Sequence, residues 1–200
     1  MRSFSLLMAA CLALSASRAN AQDPERVDAD LAKKIGAIVA QEAAKLKDLP
    51  LAIAADPDKS TALKAGERAG LLMPDAKLSL DLLKKADKEI VPIGQFFLHG
   101  VTLMAGDKAL PADKLRMFDT EQKKSISLQQ LGVAKVGGRL ALVVYAGEKT
   151  PAIVTTLHDV DDPKDLPLEL DVRRMGESQG MIVLTVLGKY RAMFGIAPLE

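Results

Sequence analysis

The segment PIGQFFLHGVTLM, Pro92–Met104, gives the clearest indication of how this chain is organised. Successive side chains of a β-strand point to opposite faces, so residues of one parity share a face. One face then carries Ile93 and Phe97, and the other carries Phe96 and Leu98. Because both faces are largely apolar, the segment predicts a central strand that is covered on both sides, with an N-terminal helix on one of them.

His99, one of two histidines in the chain, shares the parity of Ile93, Gln95 and Phe97. A histidine in such a strand is most simply neutral, with one ring nitrogen bonded to a backbone carbonyl or to a neighbour such as Gln95. The alternatives are a ligand or an acid–base group. We expect the structural role, in the middle of the core.

Residues 22–50 carry the signals of one amphipathic helix. Asp23 is placed to cap its N-terminus, Pro24 suits the first helical position, and Pro50 ends it. At about 100° per residue, one arc of about 120° collects the large apolar side chains. These are Val27, Leu31, Ile35, Ile38, Val39, Leu46 and Leu49. Such a stripe predicts a helix that packs on an apolar surface.

Two residues of this predicted helix need separate interpretation. Glu42 falls inside the apolar stripe, whereas Gly36 falls on the opposite side. We interpret Glu42 as a carboxylate at the edge of the stripe that pairs with Lys45 or Arg26, with a catalytic acid as the alternative.

Residues 51–200 read mainly as β-structure. The runs PLAIAAD (50–56) and RAGLLMPD (68–75) indicate short buried strands, and Ser79 indicates the cap of a short helix. Strands separated by glycine-containing turns follow to the end of the chain, without the strand–helix alternation of a parallel sheet. The predicted class is α+β, mainly β, with an N-terminal amphipathic helix packed on an antiparallel β-sandwich or a strongly curved sheet. Residues 22–200 then form one globular domain.

Residues 1–21 have the pattern of a cleaved signal peptide. An early positive charge, a short apolar run and small residues at Ala19 and Ala21 predict cleavage after Ala21. The apolar run is shorter than the roughly 20 residues that a membrane span needs. A lipoprotein signal at Cys11 is the alternative. We therefore expect a soluble product, periplasmic or extracellular, with no transmembrane segment in the mature chain.

The charge and the composition exclude several classes of partner. Cleavage would remove Arg2 and Arg18, leaving 25 basic against 26 acidic residues. Such a balance provides no general attraction to nucleic acid, and the chain has no tryptophan and only two tyrosines for base stacking. The single cysteine, Cys11, would leave with the signal, so the mature protein is expected to lack disulfides.

No complete catalytic set is evident in the sequence. The letters GESQG, 176–180, match the outline of a nucleophile elbow around Ser178, but that motif needs a strand before it and a helix after it. The apolar residues that follow, from Met181, are rich in β-branched side chains and indicate a strand. A hairpin turn is therefore the preferred interpretation.

The densest group of potential metal ligands is the loop at 158–165. It contains His158, Asp159, Asp161, Asp162 and Asp165. Clustered carboxylates suit a hard cation such as calcium, although the loop lacks the glycine and the closing glutamate of an EF-hand. A solvated loop whose aspartates bond nearby backbone N–H groups is the simpler interpretation, and no cofactor is predicted.

Several segments resemble parts of small exported bacterial proteins that have no assigned function. They are AGLLMPDAKLS, PIGQFFLHGVTLM, DKLRMF and LGVAKVGGRLALVVYAGEKTP. The resemblance implies a secreted domain with a β-rich C-terminal half, and it implies no activity and no functional residue.

Two hypotheses for function follow from these patterns. The first is an exported, non-enzymatic module that binds an unknown protein or a component of the cell envelope through an apolar patch or an open strand edge. The second is a small secreted hydrolase that uses carboxylates or a bound cation in the 158–165 loop. The missing catalytic sets favour the first.

Processing provides the first prediction. Expressed from the full sequence in a bacterial host, the protein should be recovered from the periplasm or the medium with Gln22 as its first residue, because the A-x-A site ends at Ala21. Intact mass and N-terminal sequencing measure this. An acylated Cys11 would establish the lipoprotein alternative, and a cytoplasmic chain that retains residues 1–21 would contradict export.

Overall fold

A computed structural model describes residues 23–120, 124–175 and 179–199. In chain order its helices and strands are β1 (Glu25–Arg26), α1 (Ala29–Ala43), β2 (Thr61–Ala65), β3 (Arg68–Pro74), α2 (Leu80–Leu83), β4 (Val91–His99), β5 (Val101–Ala105), β6 (Lys108–Ala109), β7 (Arg116–Asp119), β8 (Ser125–Val136), β9 (Arg139–Tyr145), β10 (Ile153–Thr156), β11 (His158–Asp159), β12 (Leu168–Arg174), β13 (Gly180–Val186) and β14 (Tyr190–Pro198). Short 3₁₀ turns lie at Pro57–Lys59, Lys84–Asp87 and Ala112–Lys114.

The described strands form two antiparallel sheets. The larger sheet has the order β1-β2-β3-β4-β8-β9-β10, and β7 pairs with the first part of β8. The smaller sheet has the order β12-β13-β14-β5-β6, and β11 pairs with the first part of β14. The prediction of a mainly β chain is confirmed. No helix in the described part of the chain is both long and apolar enough to span a membrane.

Two separate apolar cores hold the layers together. The main core takes residues from both sheets, among them Phe96 of β4 and Phe194 of β14, whose rings meet edge to face. The second core lies on the opposite face of the larger sheet, where Phe97 packs under α1. β4 is therefore covered on both sides, as its sequence predicts.

The predicted strand at 92–104 is in fact two strands that belong to different sheets. Gly100, with a φ of 68°, turns the chain from β4 of the larger sheet into β5 of the smaller one. A left-handed φ is easy only for glycine, which explains the residue at this corner. The chain returns to the larger sheet between β6 and β7, and it passes into the smaller sheet a second time at Leu157, between β10 and β11. Strands that switch sheets at corners are typical of strongly inclined sheet packing.

A β-bulge in β4 changes the predicted faces. Pro92 is opposite Gly132 and Gly94 is opposite Leu131, so Ile93 is an extra residue without a partner. Ile93 consequently lies in the main core with Phe96, and not on the face of Phe97 as strict alternation predicts.

The helix is shorter than the predicted span of 22–50. Its N-cap is Asp28, whose carboxylate accepts hydrogen bonds from the backbone N–H groups of Asp30 and Leu31. The predicted cap at Asp23 is wrong because the chain just after it, Glu25–Arg26, pairs with β2 instead. The helix also ends at Ala43, well before Pro50.

The buried side of α1 is built from small residues rather than from the largest apolar ones. Ala32, Gly36, Val39 and Ala43 are its buried positions. Gly36 was expected on the exposed side, yet a Cβ atom there would lie only 2.4 Å from the Ser60 hydroxyl. The absent side chain lets the helix approach the sheet closely.

The predicted strand at 50–56 is not formed. Apart from a single bridge between Ala55 and Asp75, this segment makes no strand pairing. The side chain of Gln130 replaces a partner strand, since its Oε1 accepts from the N–H of Leu51 at 2.8 Å and its Nε2 donates to the carbonyl of Leu51 at 2.7 Å. The predicted strands at 68–75 and toward the C-terminus, and the helix capped by Ser79, are confirmed.

Replacement of Gly100 tests the corner between the sheets. A Cβ atom at this position would lie 3.4 Å from Cγ of Arg68, an ordinary contact, so the cost comes from the left-handed φ. We expect Gly100→Ala to reduce the free energy of unfolding by about 1–2 kcal/mol, and Gly100→Asn to reduce it less, because asparagine tolerates this conformation better. Urea denaturation measures both variants. Equal stability of the alanine variant and the parent would contradict the assigned corner.

Tyr145 predicts a stability change at alkaline pH. It is buried at the end of β9, and this burial raises the pKa of its phenol above the usual 10.0. As pH rises, the phenol of Tyr145 therefore ionises in the unfolded chain before it ionises in the folded one. The stabilising contribution of the neutral phenol is complete below about pH 10 and declines as pH rises above that value. Tyr145→Phe should therefore lose less stability than the parent between about pH 9 and pH 11.5 in urea denaturation. Tyr190→Phe, which removes the other tyrosine, is the control, and parallel pH profiles for the parent and Tyr145→Phe would contradict the assignment.

Candidate binding site

An apolar groove lies between α1 and the face of the larger sheet that α1 covers. We call it the α1 groove. Its floor is a row of directly paired residues on adjacent strands, Ala62 of β2, Leu71 of β3 and Phe97 of β4. Paired residues point to the same side of a sheet, so this row presents a continuous apolar surface to the helix.

The wall of the α1 groove comes from the helix and the residue that leads into it. Ile35 and Val39 lie one turn apart on α1 and face the floor. Val27 is held beside them because its N–H donates to the carbonyl of Ala62 at 2.9 Å. The volume of the α1 groove is about 80 Å³. A water molecule occupies about 30 Å³ of liquid, so this space admits a short hydrocarbon segment.

The mouth of the α1 groove is the next row of paired residues. Lys64 of β2 is opposite Ala69 of β3, which is opposite His99 of β4. Ala69 is half-buried and small, so it leaves the entrance open between two polar neighbours. The apolar interior therefore meets solvent at a polar rim.

All the charged residues in the described lining of the groove are basic. Lys64, Arg68 and Lys124 contribute to it, and no acidic residue among the described ones does. Lys64 pairs with Glu25 across the two edge strands, at 3.6 Å. The exposed Arg68 and the half-buried Lys124 have no carboxylate partner within the described residues.

His99 lies at this mouth and not in the middle of the core. Its Nδ1 is 2.9 Å from the carbonyl oxygen of Ser125, so the predicted bond to a backbone carbonyl is confirmed. A carbonyl only accepts, which assigns the proton of the neutral ring to Nδ1 and leaves Nε2 as an acceptor. The imidazole is thereby fixed as part of the groove rim.

The acidic loop at 158–165 is organised by cations of β14 and the turn before it. Asp162 pairs with Arg191 at 2.5 Å and with Lys164 at 3.2 Å. Asp161 pairs with Lys189 at 2.7 Å, and that hydrogen-bonded ammonium group lowers the pKa of the Asp161 carboxyl. These contacts occupy two of the carboxylates that a cation would need.

The other predicted ligands of this loop do not converge. His158 and Asp159 form the short strand β11 opposite Arg191 and Tyr190, and both are exposed. Across residues 23–120, 124–175 and 179–199, no group of three or more histidine, cysteine, aspartate or glutamate side chains is arranged to hold a metal ion. The geometry does not favour the calcium site, which stays a prediction.

Two further candidates have structural explanations. Glu42 accepts hydrogen bonds from Nζ of Lys45 through both carboxylate oxygens, at 2.7 Å each, which confirms the expected ion pair. In GESQG, residues 176–178 lie outside the described residues. The chain on either side pairs Arg174 with Gly180, and β13 follows, so the segment connects two antiparallel strands rather than a strand and a helix.

Sequence reasoning did not identify the α1 groove. Lys64, Ala69 and His99 come together only through the register of three strands. The segment STALKAG, 60–66, carries no clear helix or strand signal, yet it forms the strand β2, which supplies Lys64 to the mouth. The sequence signal for this part of the groove is a hairpin turn at Gly66-Glu67, which would place Lys64 and Ala69 on one face of the two strands.

No family model, curated protein or solved structure shows a significant match to this chain. The functional argument therefore rests on the geometry of the α1 groove and on the chemistry of the residues that line it.

Proposed function

We propose that the protein is an exported, non-enzymatic binding module and that the α1 groove is its ligand site. The observation that carries this proposal is a groove with an apolar floor and wall that stays open to solvent at its mouth. The signal pattern of residues 1–21 supports export. An apolar site with a few polar groups at one end is the usual form of a site for a small ligand.

The packing of the rest of the protein supports a ligand site rather than a packing defect. Protein interiors leave few voids larger than a water molecule, because side chains interdigitate at the density of organic crystals. Gly36, which lies between the wall residues Ile35 and Val39, makes such a close approach to Met73, because a hypothetical Cβ of the glycine would be 3.3 Å from the sulfur. The same helix leaves a gap of about 80 Å³ toward Ala69 and Lys64. The gap is thus local to the mouth.

The hydrolase alternative receives no support from its proposed site. Asp161 and Asp162 are engaged by Lys189 and Arg191, and a general base or a metal ligand would need those carboxylates for its own chemistry. The binding role needs only the groove that the fold already forms.

Filling the groove tests the proposal. Ala69→Leu places a larger side chain at the mouth, and Ala37→Leu makes the same change on the exposed side of α1. We expect 1-octanol, titrated into the parent protein, to shift the amide NMR signals of Ala69, Val39 and Phe97. The binding should weaken at least tenfold in Ala69→Leu, roughly 1.4 kcal/mol, and should be unchanged in Ala37→Leu.

Two measurements keep this test decisive. Circular dichroism and thermal unfolding test whether Ala69→Leu is folded. If that variant is unfolded, Ile35→Gln, which places a polar group in the wall of the groove, takes its place. Shifts spread over the whole surface, or equal binding by the groove variants and the parent, would contradict the proposed site.

A further inference from the structure

We propose that the ligand of the α1 groove is an anionic amphiphile, a single acyl chain that ends in a carboxylate. The chain would lie on the apolar floor, and Lys64 and Lys124 would bind the carboxylate at the mouth. This inference rests on the proposed binding function and adds the chemical class of the ligand.

The distribution of charge around the groove supports an anionic head group. Arg68 begins β3, Lys64 belongs to β2, and Lys124 immediately precedes β8, so the fold and not a basic run of sequence gathers them. The chain as a whole is nearly neutral, with 27 basic and 26 acidic residues. A described lining with three cations and no acid is therefore a local feature of this mouth.

The three cations are not equivalent. Lys64 is partly neutralised by Glu25, whose carboxylate oxygen lies 3.6 Å from Nζ. Arg68 has the strand parity of Leu72, which packs in the main core, so its side chain starts on the face opposite the groove and we assign it no contact with the head group. Lys124 has no carboxylate partner among the described residues and shares the parity of Ile126, which packs in the second core, so it is the stronger candidate for the head group, with Lys64 as the second cation.

The floor of the groove favours a hydrocarbon chain over a peptide. β3 and β4 pair with a neighbouring strand on both sides, and the outer side of β2 is engaged by β1 at Leu63 and Lys64 and by the Val27 N–H at Ala62, so few main-chain groups of the floor are free for a peptide. An extended peptide gains much of its affinity from free main-chain groups at a sheet edge, and its own amides would be left without partners on this floor. An acyl chain has no such groups to satisfy.

Matched ligands separate the contribution of the head group to the affinity from that of the acyl chain. Octanoate and 1-octanol share a chain length and differ in charge, and acetate supplies the carboxylate without the chain. We expect the parent protein to bind octanoate at least tenfold more tightly than 1-octanol, measured by calorimetry and by NMR shifts at Ala69 and Val39, and to show no shift with acetate. Raising the salt concentration should reduce the preference, because the cations are at the surface.

Charge-removal variants assign the head-group residues. Lys64→Gln and Lys124→Gln combined should reduce octanoate binding about tenfold and leave 1-octanol binding unchanged. Lys108→Gln, on β6 of the other sheet and outside the groove, is the control and should match the parent. Retained preference for octanoate in the double variant would overturn the assignment of these two residues.

The outcomes distinguish this inference from the function on which it rests. Equal affinity for octanoate and 1-octanol, with both lost in Ala69→Leu, would overturn the anionic head group and leave the groove as an apolar site. Absence of binding by either ligand would overturn both. Self-association of the parent that Ala69→Leu abolishes would make the groove an interface between two copies and would overturn the amphiphile.

Discussion

The architecture depends on the burial of both faces of β4. Phe96 and Phe97 are adjacent in sequence and point to opposite sides, yet they are only 1% and 2% exposed. Each must therefore be covered by a different layer, since exposing either large ring would forfeit much of its hydrophobic stabilisation. The smaller sheet covers Phe96, and α1 covers Phe97. A single sheet, or a sandwich without the helix, would leave one of these faces in water.

The α1 groove follows from the way that this second cover is built. α1 reaches the sheet through Gly36, and this close approach is at Ser60 and Met73. Strands β2 and β4 continue past this contact to Lys64 and His99 at the mouth. There the side chains of α1 do not fill the space above the strands. Strands of a sheet twist relative to one another, so a helix that contacts such a sheet closely at one place diverges from it at another.

The sequence predicted elements whose signals are local, and it failed where tertiary pairing overrides them. The C-terminal strands and the glycine-containing turns between them needed only their own residues, and the structure contains them, with β12 and the turn at Gly137-Gly138 as examples. The helix start was misplaced because Glu25 pairs with a strand that lies far along the chain. The bulge at Ile93 and the corner at Gly100 look like ordinary strand residues until the partners of each half are known.

The same distinction separates the site that the sequence suggested from the site that the structure provides. The aspartates at 158–165 attract attention because they are contiguous, but the fold brings Lys189 and Arg191 against them and cancels much of their charge. Lys64 and Lys124 of the α1 groove are far apart in sequence, and the fold brings both to the groove. Like charges that a fold assembles from separate elements cost repulsion, and a near-neutral chain has acids available to relieve it. Lys124, a cation without a described carboxylate partner beside an apolar opening, is therefore the more informative sign of a ligand.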